Sequence, residues 1–128
     1  MSVYFDKNLL GGRWRATYDY CGKKYRIPGL FLSRDEAMSA WVDVDRRLDR
    51  AEKFGGTEGR VYEFIKISRR KDFEKAGLDV NEIRLDEQFD FTEMERGYFE
   101  GDRKPGIMYE TYLYERVCGE LFGWNEVK

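Results

Sequence analysis

The chain has 128 residues, of which 41% are hydrophobic, 16% aromatic and 38% charged, with a net charge of −2. That is enough apolar material for one domain with its own core, and no apolar run approaches the roughly 20 residues of a membrane span. Histidine is absent, which removes a histidine general base, an HNH-type nuclease centre, Ser-His and Cys-His pairs and imidazole zinc sites.

In chain order, residues 3–6 read as a short strand and 7–12 as a turn. From Arg13 the residues alternate. Trp14, Ala16, Tyr18 and Tyr20 fall on one face, with Arg13, Arg15, Thr17 and Asp19 on the other, the period of a half-exposed strand. Cys21-Gly22-Lys23 supplies a tight turn, and residues 24–27 alternate again before Pro28-Gly29 ends the strand. Leu30-Phe31-Leu32 is short and apolar, and burial is expected for it.

Ser33 followed three residues later by Glu36 is a capping box. Ala37, Trp41, Val44, Leu48 and Ala51 then form one apolar helical stripe, which Gly55-Gly56 stops. Trp41 in mid-stripe reads as a core residue. A second helix is expected from about residue 60 to 76, closed by Gly77, with a strand from Val61 as the weaker alternative. Residues 79–102 are acidic but interleaved with Ile83, Leu85, Phe89, Phe91 and Met94, so they are not a solvated tail. Lys104-Pro105-Gly106 reads as a turn. Residues 107–117 are rich in Tyr, Ile, Thr and Val and favour a strand over a terminal helix. Tyr109, Tyr112, Tyr114, Phe122 and Trp124 read as core plus an edge. The fold class is therefore α+β: a three-stranded antiparallel sheet on an amphipathic helix over 1–56, with an acidic, mixed α+β extension over 57–128 packed on the first part.

Charge divides along the chain. Residues 1–78 carry a net +5 and residues 79–128 a net −7. Between Lys7 and Arg34 there are seven Lys and Arg against Asp19 alone. Such a split suggests two surfaces with different partners, although pairing of opposite charges within one fold accounts for it equally. Cys21 and Cys118 have no metal-like spacing and read as free thiols of a reducing cytosol, and sequence leaves their pairing open.

Residues 12–54 resemble the sheet-plus-helix module of phage-integrase arm-type DNA-binding domains, and are similar to the APETALA-type domain of plant ethylene-response factors. The pieces that carry the resemblance are Gly12-Arg13-Trp14-Arg15-Ala16, Gly22-Lys23-Lys24, Gly29-Leu30-Phe31, Ser33-Arg34-Asp35-Glu36-Ala37 and Ala40-Trp41. The resemblance implies that the exposed sheet face enters the major groove of double-stranded DNA. It implicates Arg13, Trp14, Arg15 and Thr17 on the first strand, Lys24 and Arg26 on the second, and Lys23 at the tip. A two-stranded ribbon fits that groove. The catalytic core that follows this module in integrases has no counterpart here. The expectation is a non-catalytic, cofactor-free DNA-binding accessory protein of phage or mobile-element type, cytoplasmic and without a membrane association.

The acidic stretch supports an alternative. Asp86, Glu87, Asp90, Glu93 and Glu95 are candidate contacts to a basic host or phage protein, as in a phage-type inhibitor of a nucleic-acid enzyme or defence complex. A solvated surface explains the same residues. Asp90 with Asp102-Arg103-Lys104 is only loosely like the acid, acid-x-Lys pattern of restriction-type nucleases.

Overall fold

The computed structural model describes residues 2–8, 11–101 and 105–123, without the side chain of Asp86. Three antiparallel strands, β1 (Ser2–Asp6), β2 (Arg13–Tyr20) and β3 (Lys23–Arg26), form a sheet in the order β1-β2-β3. Helices α1 (Arg34–Ser68), α2 (Arg70–Lys75), α3 (Leu85–Gln88), α4 (Phe91–Glu100) and α5 (Tyr109–Phe122) follow. None of these helices is long and apolar enough to cross a membrane.

The period-two pattern of β2 sets the sheet's two faces. Ala16, Tyr18 and Tyr20 are buried against the helices. The register places Arg13, Arg15 and Thr17 opposite Asp6, Tyr4 and Ser2 of β1 on the other face. On β3 the same face carries Arg26 and Lys24, opposite Thr17 and Asp19. Cys21 (φ 52°) and Gly22 (φ 79°) both take positive φ. That is the pattern of a two-residue hairpin turn whose twist suits the flanking strands.

Ser33 caps α1, its hydroxyl accepting the Glu36 N–H at 3.1 Å. The Glu36 carboxylate reaches back one residue further than in the usual box, to the Leu32 N–H at 2.9 Å. Helical structure over 34–68 is not one rod. Gly56 has φ 68° and ψ −159°, a region open only to glycine, and the chain reverses there. Arg47 Nη2 lies 2.6 Å from Glu63 Oε1, 16 residues away. In an unbroken helix those residues would be about 24 Å apart. Arg60 similarly reaches Glu52 at 3.2 Å and Asp49 at 3.7 Å. The two arms approach closely at Gly59, where a Cβ would stand 2.6 Å from the Ala51 carbonyl oxygen. α1 is thus a helical hairpin turning on Gly55-Gly56.

The sheet's inner face and both arms share one core. Phe64 of the second arm sits at its centre. It stacks on Tyr20 with ring centroids 4.0 Å apart and meets Tyr25 edge-on at 4.8 Å and Tyr114 of α5 at 6.0 Å. Trp41, half-buried, packs on Tyr18 at 5.7 Å, and the Tyr18 hydroxyl donates to Asp45 at 2.8 Å. α5 buries Leu113, Tyr114, Val117 and Cys118.

Three expectations are corrected. The segment expected as a strand at 107–117 is helical from Tyr109, because Leu113, Tyr114, Val117 and Cys118 recur at three- and four-residue spacing and that stripe overrides β-propensity. The described residues of 57–128 contain no strand, so the extension is helical rather than mixed. Leu30 and Leu32 are exposed, Leu32 to 74%. Only Phe31 between them turns inward, bonding through its backbone to Trp14 in both directions at 2.7 and 2.9 Å.

Candidate nucleic-acid interface

The outer sheet face is built by alternation, and the core cluster packs against the opposite face. Arg13, Arg15, Thr17, Lys24 and Arg26 all lie on it. Trp14 does not. It points to the inner side, half-buried, with its ring 5.6 Å from Phe5 in an edge-on contact. Lys23 stands opposite Tyr20 and so has inner-face parity, exposed at the turn.

The members of the face differ in availability. Arg15 Nε is 3.1 Å from Asp6 Oδ2, with side-chain exposures of 15% and 17%. The Nε–H is not aligned for a hydrogen bond, so charge rather than geometry holds the pair. Arg15 is therefore first an internal ion pair. Arg13 is half-buried and donates from Nη1 to the Gly12 carbonyl at 2.6 Å. Thr17 Oγ1 donates to the Ser2 carbonyl at 3.4 Å. Lys24 and Arg26 are exposed.

Arg26 leads to cations that the strand pattern alone does not reveal. A groove of about 720 Å³ runs between the β3 end and the α1–α2 junction. Arg15 and Arg26 line it from the sheet, and Arg69, Arg70 and Lys71 from the junction, with Asp72 and Glu74 as its acids. Arg69 is anchored, its Nε donating to the Tyr114 hydroxyl at 2.6 Å and its Nη1 lying 3.7 Å from Asp72. Arg70 and Lys71 are exposed. The only sequence signal for this group is the run Arg69-Arg70-Lys71, which reads as the solvated side of a helix until the fold sets it beside β3.

A second pocket, of about 350 Å³, lies at the other end of β3, between the β2–β3 turn and α5. Lys23, Lys24 and Arg69 supply its cations. Arg69 thus borders both hollows, and positive charge continues along the β3 edge from the turn to α2.

The acidic residues are dispersed. Glu87 pairs with Arg84 at 3.5 Å. Asp90 caps α4 by accepting the Glu93 N–H at 3.1 Å. Glu93 shares a small hollow with Arg96, Glu100 and Arg116. Glu95, two residues along the same helix, cannot share its face. Asp86 belongs to α3 but its side chain lies outside the described residues, as do residues 102–104 of the nuclease-like fragment and Trp124. Among the described residues, no cluster of three or more Cys, Asp or Glu side chains could hold a metal ion.

The titration shifts do not activate a nucleophile. Burial pushes the Cys118 thiol up to about 12, and burial likewise raises Cys21. Both cysteines are free thiols. Burial, then the hydrogen bond to Asp45, raises Tyr18 to about 12. The Tyr20 hydroxyl is buried without a well-aligned hydrogen bond, and burial followed by the Glu110 carboxylate holds its proton on. Groups so strongly protonated at neutral pH suit packing better than catalysis. No protein-family model, curated protein or solved structure matches this chain.

Proposed function

We propose that this chain is a non-catalytic DNA-binding accessory protein that holds the duplex backbone with the outer sheet face and the groove beside β3. One observation carries the reading: Arg26 of the sheet and Arg70 and Lys71 of the α1–α2 junction, all exposed, border a single groove although more than 40 residues separate them in sequence. Cations gathered from separate elements onto one surface form the footprint expected for a polyanion. Arg13 and Lys24 extend it across the sheet on the same face. Arg15, paired with Asp6, acts as a brace for that face rather than as a base reader. The resemblance of residues 12–54 to arm-type integrase modules supports a phage or mobile-element setting and a place in the bacterial cytoplasm.

The test is fluorescence anisotropy with a short duplex at low salt. The double substitution Arg26→Glu with Arg70→Glu is expected to weaken binding by at least about 100-fold, since it replaces two favourable charges with two repulsive ones. Glu87→Lys, on the far acidic stretch, leaves binding within about twofold or strengthens it. Absence of wild-type binding at low salt, or indifference to the double substitution, overturns the proposal.

A further inference from the structure

The 350 Å³ pocket under the β2–β3 turn has the marks of a small-ligand site beside the outer face. It could hold roughly a dozen waters, more space than a bare phosphate displaces. Its wall is chemically two-sided. Lys23, Lys24 and Glu115 line it together with Arg69, whose charge is already shared with Asp72 at 3.7 Å. Tyr25 supplies a half-buried ring, fixed from behind by Phe64 at 4.8 Å and flanked by Tyr114 at 6.0 Å. Thr111 adds a hydroxyl from α5. Lys23 and Lys24 leave a two-residue turn whose backbone takes positive φ at Cys21 and Gly22, and Arg69 is held by the Tyr114 hydroxyl. Cations beside a packed aromatic ring match a ligand with a phosphate at one end and a planar ring at the other.

We propose that this pocket binds a nucleoside monophosphate unit, its phosphate on Lys23 and Lys24 and its base against Tyr25. The unit is either a free mononucleotide or the 5′-phosphorylated end of a DNA strand. The site shares Lys24 with the outer face, but Lys23, Thr111 and Glu115 lie off that face, so a Lys23 variant reads the pocket separately from duplex binding.

Calorimetric titration of the full chain at low salt tests this with dAMP, deoxyadenosine and inorganic phosphate. dAMP is expected to bind, with deoxyadenosine and phosphate each at least about tenfold weaker, because each keeps only half of the recognition. Lys23→Ala, at an exposed turn position, weakens dAMP by about tenfold, whereas Arg13→Ala, on the outer face, leaves it unchanged. A 5′-phosphorylated tetranucleotide that binds more tightly than dAMP, while its 5′-hydroxyl counterpart does not, identifies the strand end as the source. A phosphorylated tetranucleotide no tighter than dAMP identifies the free nucleotide. The proposal is overturned if dAMP gives no binding at millimolar concentration, if phosphate alone binds as tightly, or if Lys23→Ala has no effect. Duplex binding through Arg26 and Arg70 can survive any of those results, so the two readings fail separately.

Discussion

Replacing Arg70 and Lys71 together by alanine should change the salt dependence of DNA binding by a calculable amount. Each phosphate neutralised by a protein cation contributes about −0.9 to the slope of log K against log salt. The structure decides which cations count. Arg15 is paired with Asp6, and Arg69 is anchored by Tyr114 and Asp72. Arg13, Lys24, Arg26, Arg70 and Lys71 remain as the proposed phosphate partners. Five contacts give a slope of about −4.5, and hence about a 500-fold loss of affinity between 50 and 200 mM salt. Without Arg70 and Lys71 the slope falls to about −2.7, and the loss over the same range to about 40-fold. Anisotropy of a labelled duplex across that range, with circular dichroism to show that the variant is folded, reads both slopes. A wild-type slope shallower than about −1, or a double variant with the wild-type slope, refutes the assignment of the groove to phosphate binding.

The remaining predictions concern the fold. Gly56→Ala places a Cβ in a glycine-only region of backbone space with no contact closer than Glu58 Oε2 at 3.4 Å, so its cost is backbone strain of about 1–3 kcal/mol, read as a lower urea midpoint. Gly59→Ala forces the two arms of α1 apart at the Ala51 carbonyl and costs about 1–3 kcal/mol by the same assay. A continuous helix would instead gain from both substitutions. Stability should also fall in alkali. The folded chain holds the Cys118 proton up to about pH 12, whereas an unfolded thiol releases it from about 9, so the stabilisation is complete below pH 9 and declines above it. Cys118 alone accounts for about 1 kcal/mol by pH 10, with Tyr18 acting in the same direction at higher pH. Urea midpoints that are flat or rising between pH 8 and 11 contradict this.

Much of the fold was legible because local signals agreed with one another. Alternation from Arg13 to Tyr20, the turn at Cys21-Gly22 and the Ser33 cap each point to the element that forms. Gly55-Gly56 announces a stop, but not that the second helix folds back on the first. That reversal brings together residues distant in sequence, such as Arg47 with Glu63 and Phe64 with the sheet tyrosines, which a local pattern cannot show. Residues 109–122 misled because Tyr, Thr and Val favour strands in isolation, while the stripe through Leu113, Val117 and Cys118 is what the core selects. Phe64 reads as one apolar residue among several, yet four tyrosines from two strands and α5 converge on it.

The candidate site divides along the same line. Strand parity alone placed Arg13, Arg15, Lys24 and Arg26 on one face and set Trp14 apart from them. It could not show that Arg15 would be pinned by Asp6, because that contact is diagonal across two strands and forms only in this register. Nor could it bring Arg70 and Lys71 to the sheet. The consequence shifts the centre of the interface. With Arg15 paired and Trp14 turned inward, the sheet face holds fewer groups able to read bases than an alternating strand suggests. The exposed cations lie instead toward β3, whose free edge runs between the two hollows. Positive side chains at an edge strand also deter pairing with another sheet, so Lys23, Lys24 and Arg26 suit this edge even without a ligand. Arg70 and Lys71 are under no such demand, because they border the groove from a helix rather than from the strand edge. Their effect on the salt slope therefore separates a binding surface from a protected edge more cleanly than any substitution within the sheet.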